Sequence, residues 1–211
     1  MKLLISKYKI LLLDKVFITS LMTGLVLFSC SLFVSYRAIN YTVREEGNAT
    51  TDVLLQNLPV VDTDIIFSEG ALVFVIFLII LIAVEPKKIP FVLKSIALFI
   101  LIRSVFISMT HLAPYPDRIV TDMDSLPYIS AGTGLFFSGH TGLPFLFALM
   151  YWGNKYLRWI FLFCSVAAAV AVILGHLHYT IDVFSAFFIS YGIYHIAQKT
   201  FKKDYKLFHA K

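Results

Sequence analysis

The chain has 211 residues, of which 59% are hydrophobic and 15% are charged, and it carries a formal net charge of +5. This composition excludes a water-soluble domain with a single core and is typical of a protein that crosses a membrane several times. The positive charge does not indicate nucleic-acid binding, because the basic residues are divided among the connections between apolar segments.

Six apolar segments have about the length of 20 residues that a helix needs to cross a bilayer. They lie at about 16–36, 65–84, 89–109, 135–152, 157–175 and 181–198, with longer polar connections at about 37–64 and 110–134. The sequence therefore predicts an all-α membrane protein, a six-transmembrane-helix bundle that forms one domain over residues 1–211. The first apolar run lacks a clear cleavage site, so we interpret it as an uncleaved span.

The basic residues predict how the bundle is oriented. Thirteen of the 18 lysines and arginines lie on one side of the predicted spans, whereas Arg37, Arg44 and Arg118 lie on the other side. Under the positive-inside rule, this bias predicts that both termini are cytosolic, with residues 199–211 as a basic cytosolic tail. A plasma or inner membrane and a Golgi-type endomembrane both fit this pattern.

Two short polar motifs lie at the edges of the apolar segments. One is FSGHT at residues 137–141, and the other is HLHYTIDV at residues 176–183. Ionisable groups in or beside a membrane span are costly and are therefore candidates for function. The predicted topology puts both motifs on the outer face, so we expect them to form one site.

The residue types in these motifs point to phosphoryl chemistry. His178 and Asp182 lie four positions apart, which places them on one face of a helix if that helix begins near Tyr179. A carboxylate that accepts a hydrogen bond from one imidazole nitrogen leaves the other as a nucleophile or base. Ser138 and Gly139 at a helix start offer backbone N–H groups to an anion, and His140 is placed for acid–base catalysis.

These motifs resemble the sphingomyelin synthase family, a branch of the type 2 phosphatidic acid phosphatase superfamily. The resemblance covers about residues 57–195 and includes weaker matches at 58–62, at Ser68-Glu69 and at 103–116. It implies six spans, an exoplasmic active site and transfer of a phosphate-bearing head group between lipids. The implied donor is phosphatidylcholine or phosphatidylethanolamine, and the implied acceptor is ceramide or diacylglycerol. No cofactor is expected, and a homo-oligomer is left open.

The resemblance also implies residue roles. His178 would attack the donor phosphorus, Asp182 would orient His178, and His140 would serve the leaving diacylglycerol and then the incoming alcohol.

Further side chains are expected around these three. The expected phosphate contacts are Ser138, Gly139, Arg103 and Tyr179. Glu69 and His176 are supporting candidates, and a structural or helix-capping interpretation is favoured for His176. Arg103 has two open alternatives, snorkelling or pairing with Glu69.

The chain departs from the superfamily pattern at several positions. Simple phosphatases of the superfamily carry the motif Lys-x6-Arg-Pro and a further Arg six residues before the nucleophile. In this chain Lys94 and Arg103 have a different spacing, and Ser104 stands in place of the Pro. Val172 stands in place of the further Arg. Fewer guanidinium groups favour a phosphodiester donor over a more highly charged phosphomonoester. Gly134 stands where the synthase pattern has an acidic residue.

Alternatives to the transferase stay open at this point. One is hydrolysis of a lipid phosphate or phosphodiester at the same site, and another is a non-enzymatic lipid transporter or scramblase. Either histidine alone could simply hold loop carbonyls at the interface, but both motifs together favour catalysis. A zinc or haem site built from His140, His176 and His178 is disfavoured because no further Cys or His ligand is suitably spaced.

Overall fold

The computed structural model describes residues 2–45, 47–121 and 135–210, and the regular elements within them are all helical. The α-helices of the described residues are α1 (Lys2–Leu11), α2 (Lys15–Arg44), α3 (Asp64–Val84), α4 (Ile89–Met109), α5 (Gly139–Met150), α6 (Lys155–Leu174), α7 (Thr180–Thr200) and α8 (Lys202–His209). Short 3-10 turns occupy Leu55–Asn57 and Pro86–Lys88. The prediction of an all-α protein is confirmed.

Among the described residues, five helices are long and apolar enough to cross a membrane, namely α2, α3, α4, α6 and α7. Helix α5 has 12 residues and is therefore only about 18 Å long. The predicted span at 135–152 is not confirmed, because the chain from Leu135 to Ser138 is not helical and α5 ends at Met150. Five long apolar helices indicate a multi-pass membrane protein.

Helix α2 is longer than the sequence predicts. Its 30 residues continue beyond the predicted end near residue 36 to Arg44, so Arg37 and Arg44 lie on the helix rather than in a polar loop. Asp14 begins this helix by accepting a hydrogen bond from the Val16 N–H at 2.8 Å, which satisfies one of the unpaired amide groups of its first turn.

The short helix α5 is fixed by close packing against its longer neighbours. It contacts both α6 and α7, while α2 packs along α4. A Cβ atom added to Gly142 would lie 2.8 Å from Ser190 Oγ and 3.1 Å from the Phe99 ring. The absence of a side chain at Gly142 therefore allows α5 to approach α4 and α7 closely.

A buried ion pair joins three helices at the end of the bundle where the termini lie. Lys94 Nζ donates to Asp204 and to Ser20, each at 2.7 Å, and the Ser20 hydroxyl also bonds Asp204. These contacts tie α8 to α4 and α2.

Helices α1 and α8 both contact the Pro86–Lys88 turn, so the two ends of the chain lie at the same end of the bundle. The N-termini of α3, α5 and α7 lie at the opposite end, where the sequence motifs are. That the termini face the cytosol stays a prediction.

Candidate active site

His178 and Asp182 meet at the start of α7. His178 precedes the helix and Asp182 lies in its first turn, with 3.5 Å between His178 Nδ1 and Asp182 Oδ2. This distance is within ion-pair range but longer than a hydrogen bond; catalytic hydrogen bonds frequently shorten once substrate binds. Asp182 is fully buried and His178 is 5% exposed. The arrangement directs Nδ1 to the carboxylate and leaves Nε2 as the nitrogen that can act as a nucleophile.

Asp182 also caps its own helix. Its Oδ2 accepts a hydrogen bond from the Tyr179 N–H at 3.1 Å, while its Oδ1 has no hydrogen-bond partner among the described residues. A carboxylate near a helix N-terminus is stabilised by the free amide groups and the helix dipole. One oxygen therefore serves both the helix start and the orientation of His178.

The segment between α6 and α7 places His178. The Val172 carbonyl accepts from the Leu177 N–H at 2.9 Å and from the His178 N–H at 3.4 Å, which folds the chain back over the end of α6. Between them, His176 has a positive φ of 53°, a conformation that is uncommon outside glycine. The turn is closed by the Ile119 N–H, which donates to the Gly175 carbonyl at 3.0 Å.

The two sequence motifs are connected directly through the backbone. The Ser138 N–H donates to the Asp182 carbonyl at 3.0 Å, so the N-terminus of α5 is held against the first turn of α7. Ser138 is the N-cap of α5, and its side chain accepts from the Thr141 N–H at 3.4 Å. The Gly139 and His140 N–H groups have no hydrogen-bond partner within the described residues. They form the open donors of a helix N-terminus that can receive an anion.

Arg103 of α4 lies beside this helix start. Its Nε donates to the Phe137 carbonyl at 3.0 Å, and a Cβ atom at Gly139 would lie 3.6 Å from the same nitrogen. Asp182 is within electrostatic reach of the guanidinium. The structure thus puts a cation next to the predicted phosphate cradle, which is the N-terminus of α5 at Ser138, Gly139 and His140.

His140, the first-turn histidine of α5, is half-buried against Phe67 of α3. The two ring centroids are 4.1 Å apart with an interplanar angle of 32°. His140 also lies within electrostatic reach of His178 and Arg103. The structure therefore brings together His140, His178, Asp182 and Arg103 at one end of the bundle.

Two other predicted residues, Tyr179 and His176, have different surroundings. The Tyr179 hydroxyl donates to the Ala113 carbonyl at 2.9 Å and accepts from the Thr50 N–H at 3.2 Å, so it connects the segment that follows α4 with the segment that precedes α3. His176 is 2% exposed and packs edge-on against Tyr115, and neither of its ring nitrogens forms a hydrogen bond with the part of the chain that the structure describes.

Glu69 is exposed on α3. Within the described residues it makes no ion pair or hydrogen bond, so the Arg103–Glu69 pair that the sequence left open is not seen there. A supporting role of Glu69 stays a prediction.

Sequence reasoning missed two contacts. Phe67 lies against His140, but an aromatic residue in an apolar helix gives no signal of that contact. Asp52, in the connection before α3, accepts hydrogen bonds from the Thr180 N–H and hydroxyl, each at 2.7 Å. Asp52 is a single aspartate in a polar connection, and the turn that it forms with the Leu54 N–H, at 3.0 Å, is seen only in the structure.

Burial alone would raise the pKa of Asp52, but the hydrogen bonds from Thr180, Leu55 and Leu54 outweigh it and hold that pKa below its ordinary value. Asp52 is therefore a carboxylate at neutral pH. No group of three or more His, Cys, Asp or Glu side chains within the described ranges is arranged to hold a metal ion.

A buried His–Asp pair, a helix N-terminus with open amide donors and an arginine form a site suited to phosphoryl chemistry. Residues 133–199 match the family model described as PAP2 superfamily C-terminal. This match supports the type 2 phosphatidic acid phosphatase superfamily, whose activities are of the lipid phosphatase and phosphotransferase type, and makes an enzyme plausible. It does not extend to the sphingomyelin synthase branch. No curated protein and no solved structure matches the chain.

Proposed function

We propose that the protein transfers a phospho-alcohol head group from a phospholipid to a second lipid through a phosphohistidine on His178. The observation that carries this proposal is the contact between the two motifs. The His178–Asp182 pair starts α7, and the same turn holds Ser138 and thus the open amide groups of α5. Nucleophile and phosphate cradle therefore belong to one hydrogen-bonded unit.

The first half-reaction follows from this placement. His178 Nε2 attacks the donor phosphorus while Asp182 stabilises the positive charge that develops on the imidazole. The bond between phosphorus and the diacylglycerol oxygen breaks, and His140 gives a proton to that oxygen. The non-bridging phosphate oxygens are stabilised by Arg103 and by the N-terminus of α5.

The second half-reaction regenerates the enzyme. A hydroxyl oxygen of the acceptor lipid attacks the phosphorus, the bond to Nε2 breaks, and the hydroxyl proton passes to His140. The proton given in the first step is thereby returned, so atoms and charge balance over the cycle. The proposed acceptor is ceramide or diacylglycerol.

The charges around the site favour a phosphodiester donor. Val172, at the position where the simple phosphatases have a second Arg, is 1% exposed in an apolar cluster. Lys94 is bound to Asp204 at the other end of the bundle, at 2.7 Å. Neither position supplies a clamp for the second negative charge of a phosphomonoester. A phosphodiester carries one negative charge, which suits Arg103 and a helix N-terminus.

A product analysis in liposomes tests the proposal. The purified protein receives head-group-labelled phosphatidylcholine or phosphatidylethanolamine, with and without ceramide, and the lipids are resolved. A labelled lipid that appears only with acceptor supports transfer. Free phospho-alcohol without a new lipid overturns transfer in favour of hydrolysis.

Two histidine variants serve as controls in that assay. His178→Ala should abolish product, whereas His195→Ala, on the same helix α7 with its ring bonded to Gln198, should behave like the wild type. Identical product profiles for His178→Ala and wild type would reject the catalytic proposal and leave a non-enzymatic transporter.

We further propose that the site faces the exoplasmic side. The support is the bias of basic residues toward the end that carries the termini, opposite the site. A cysteine at the exposed position Asp117 should react with an impermeant reagent in intact cells. Reaction only after permeabilisation would reverse the orientation.

A further inference from the structure

Two carboxylates from distant parts of the chain converge on the first turn of α7. Asp182 accepts the Tyr179 N–H from within the helix, at 3.1 Å. Asp52 reaches the next residue from the outer connection: its Oδ2 accepts the Thr180 N–H and its Oδ1 accepts the Thr180 hydroxyl, each at 2.7 Å. These are short, charge-assisted hydrogen bonds.

Four donors of the protein surround the Asp52 carboxylate. Besides the two donors of Thr180, its Oδ1 accepts the Leu54 N–H at 3.0 Å and the Leu55 N–H at 3.3 Å. Four donors around two oxygens leave little capacity for a ligand. The carboxylate is therefore suited to joining its own loop to α7.

The loop that carries Asp52 is itself held against the site by a buried side chain. Leu55 is 2% exposed and belongs to a buried cluster with Leu135 and Tyr179. Leu135 lies three positions before Ser138, the N-cap of α5. The loop is thus packed against both helix starts, and Asp52 is fixed relative to them.

The position of the Asp52 loop matters for the His178–Asp182 pair because the contact within that pair is long. Asp182 Oδ2 is shared between the Tyr179 N–H and His178 Nδ1, and the latter contact is 3.5 Å. Because 3.5 Å is just beyond hydrogen-bond length, a small rotation of the first turn of α7 is enough to bring the carboxylate into or out of hydrogen-bond range of the imidazole. Thr180, which Asp52 holds, lies within this turn.

We propose that Asp52 is a positioning residue for the His178–Asp182 pair, acting by holding Thr180 and thereby the first turn of α7. This inference rests on the proposed function of that pair. Asp52 touches neither the phosphate nor the reacting atoms; it sets the distance between the carboxylate and the nucleophile.

Kinetics of three variants test the proposal. Asp52→Ala removes all four bonds and should lower kcat about 10- to 100-fold, because small displacements of a catalytic group have effects of this size. KM should stay within about threefold of the wild type, because the phosphate contacts are retained. Asp52→Asn keeps one acceptor oxygen and should give an intermediate kcat.

The matched control is Asp14→Ala. Asp14 caps α2 through the Val16 N–H, so the control loses the same kind of helix cap away from the site and should keep kcat. Asp52 would be merely structural if Asp52→Ala kept kcat per folded molecule, or if Asp14→Ala lost as much. A rise in KM without a fall in kcat would overturn positioning in favour of substrate binding.

Hydrogen exchange separates this proposal from the proposed function. Backbone amides of the segment 176–184 should exchange faster in Asp52→Ala than in wild type. In Asp14→Ala their exchange rates should equal those of the wild type. A wild type without any lipid product would reject the proposed function, and the exchange measurement would then decide whether Asp52 holds α7. Unchanged exchange in Asp52→Ala would overturn the anchoring itself.

Discussion

The buried ion pair between Lys94 and Asp204 predicts how much the free energy of unfolding falls when one partner is removed. Their side chains are 8% and 10% exposed, with 2.7 Å between Nζ and Oδ2. Lys94→Ala leaves the carboxylate of Asp204 buried, and among the described residues the Ser20 hydroxyl is then its one remaining side-chain donor. Removing one partner of a buried ion pair costs about 3–5 kcal/mol, because the remaining charge is left uncompensated. We expect a loss of that size in the free energy of unfolding.

The assay is a denaturant titration in detergent micelles, followed by circular dichroism. The informative control is Lys94→Met/Asp204→Leu, which removes both charges and replaces them with apolar groups. It should lose less than about 1.5 kcal/mol, since replacing a buried pair by hydrophobic residues is often neutral. A free energy of unfolding within about 1 kcal/mol of the wild type for Lys94→Ala would refute the reasoning.

The same double variant tests the assignment of Lys94 away from the substrate. Lys94 lies at the end of the bundle opposite the site, so the KM for the phospholipid donor should be unchanged in Lys94→Met/Asp204→Leu. A tenfold rise in KM would mean that Lys94 takes part in phosphate binding after all.

Three further predictions concern the site and its packing. Asp182→Asn should lower kcat by about 100-fold or more, because the amide no longer stabilises the imidazolium; wild-type initial rates in liposomes would contradict this. Gly142→Ala should cost about 1–3 kcal/mol in the same titration, because its Cβ would lie 2.8 Å from Ser190 Oγ; an unchanged midpoint would contradict it. The pKa of Asp52 is held below its ordinary value of 3.8, so its stabilising effect is present above that value and is lost as the pH falls through the lowered pKa. Wild type should therefore exceed Asp52→Asn in stability at pH 7 and approach it below about pH 4; a constant difference would contradict this.

The sequence predicted local relationships better than long-range ones. The four-residue spacing of His178 and Asp182 indicated that the two side chains meet, and they lie 3.5 Å apart, although His178 precedes α7 instead of lying on one of its faces. It did not reveal that Asp182 caps α7, since the exact start of a helix depends on tertiary contacts. Nor did the sequence reveal that Asp52 contacts Thr180, 128 positions away. The residues around a loop aspartate do not indicate whether it has a distant hydrogen-bond partner.

The span at 135–152 shows why counting apolar residues was not enough. The segment has the composition of a membrane helix, but its first residues are held by tertiary contacts. Arg103 donates a hydrogen bond to the Phe137 carbonyl, and the Ser138 N–H donates to the Asp182 carbonyl. The helix therefore begins only at Gly139. The positions that shorten α5 are the ones that build the site.

The most direct test of the central claim is detection of the covalent intermediate. Wild-type protein is mixed with phospholipid labelled in its head group, without acceptor, and quenched at alkaline pH, where phosphohistidine survives. Peptide mass spectrometry should find the phospho-alcohol group on His178, in a yield that falls when acceptor is added. Turnover that leaves no label on His178, or label on another residue that persists in His178→Ala, would contradict the account.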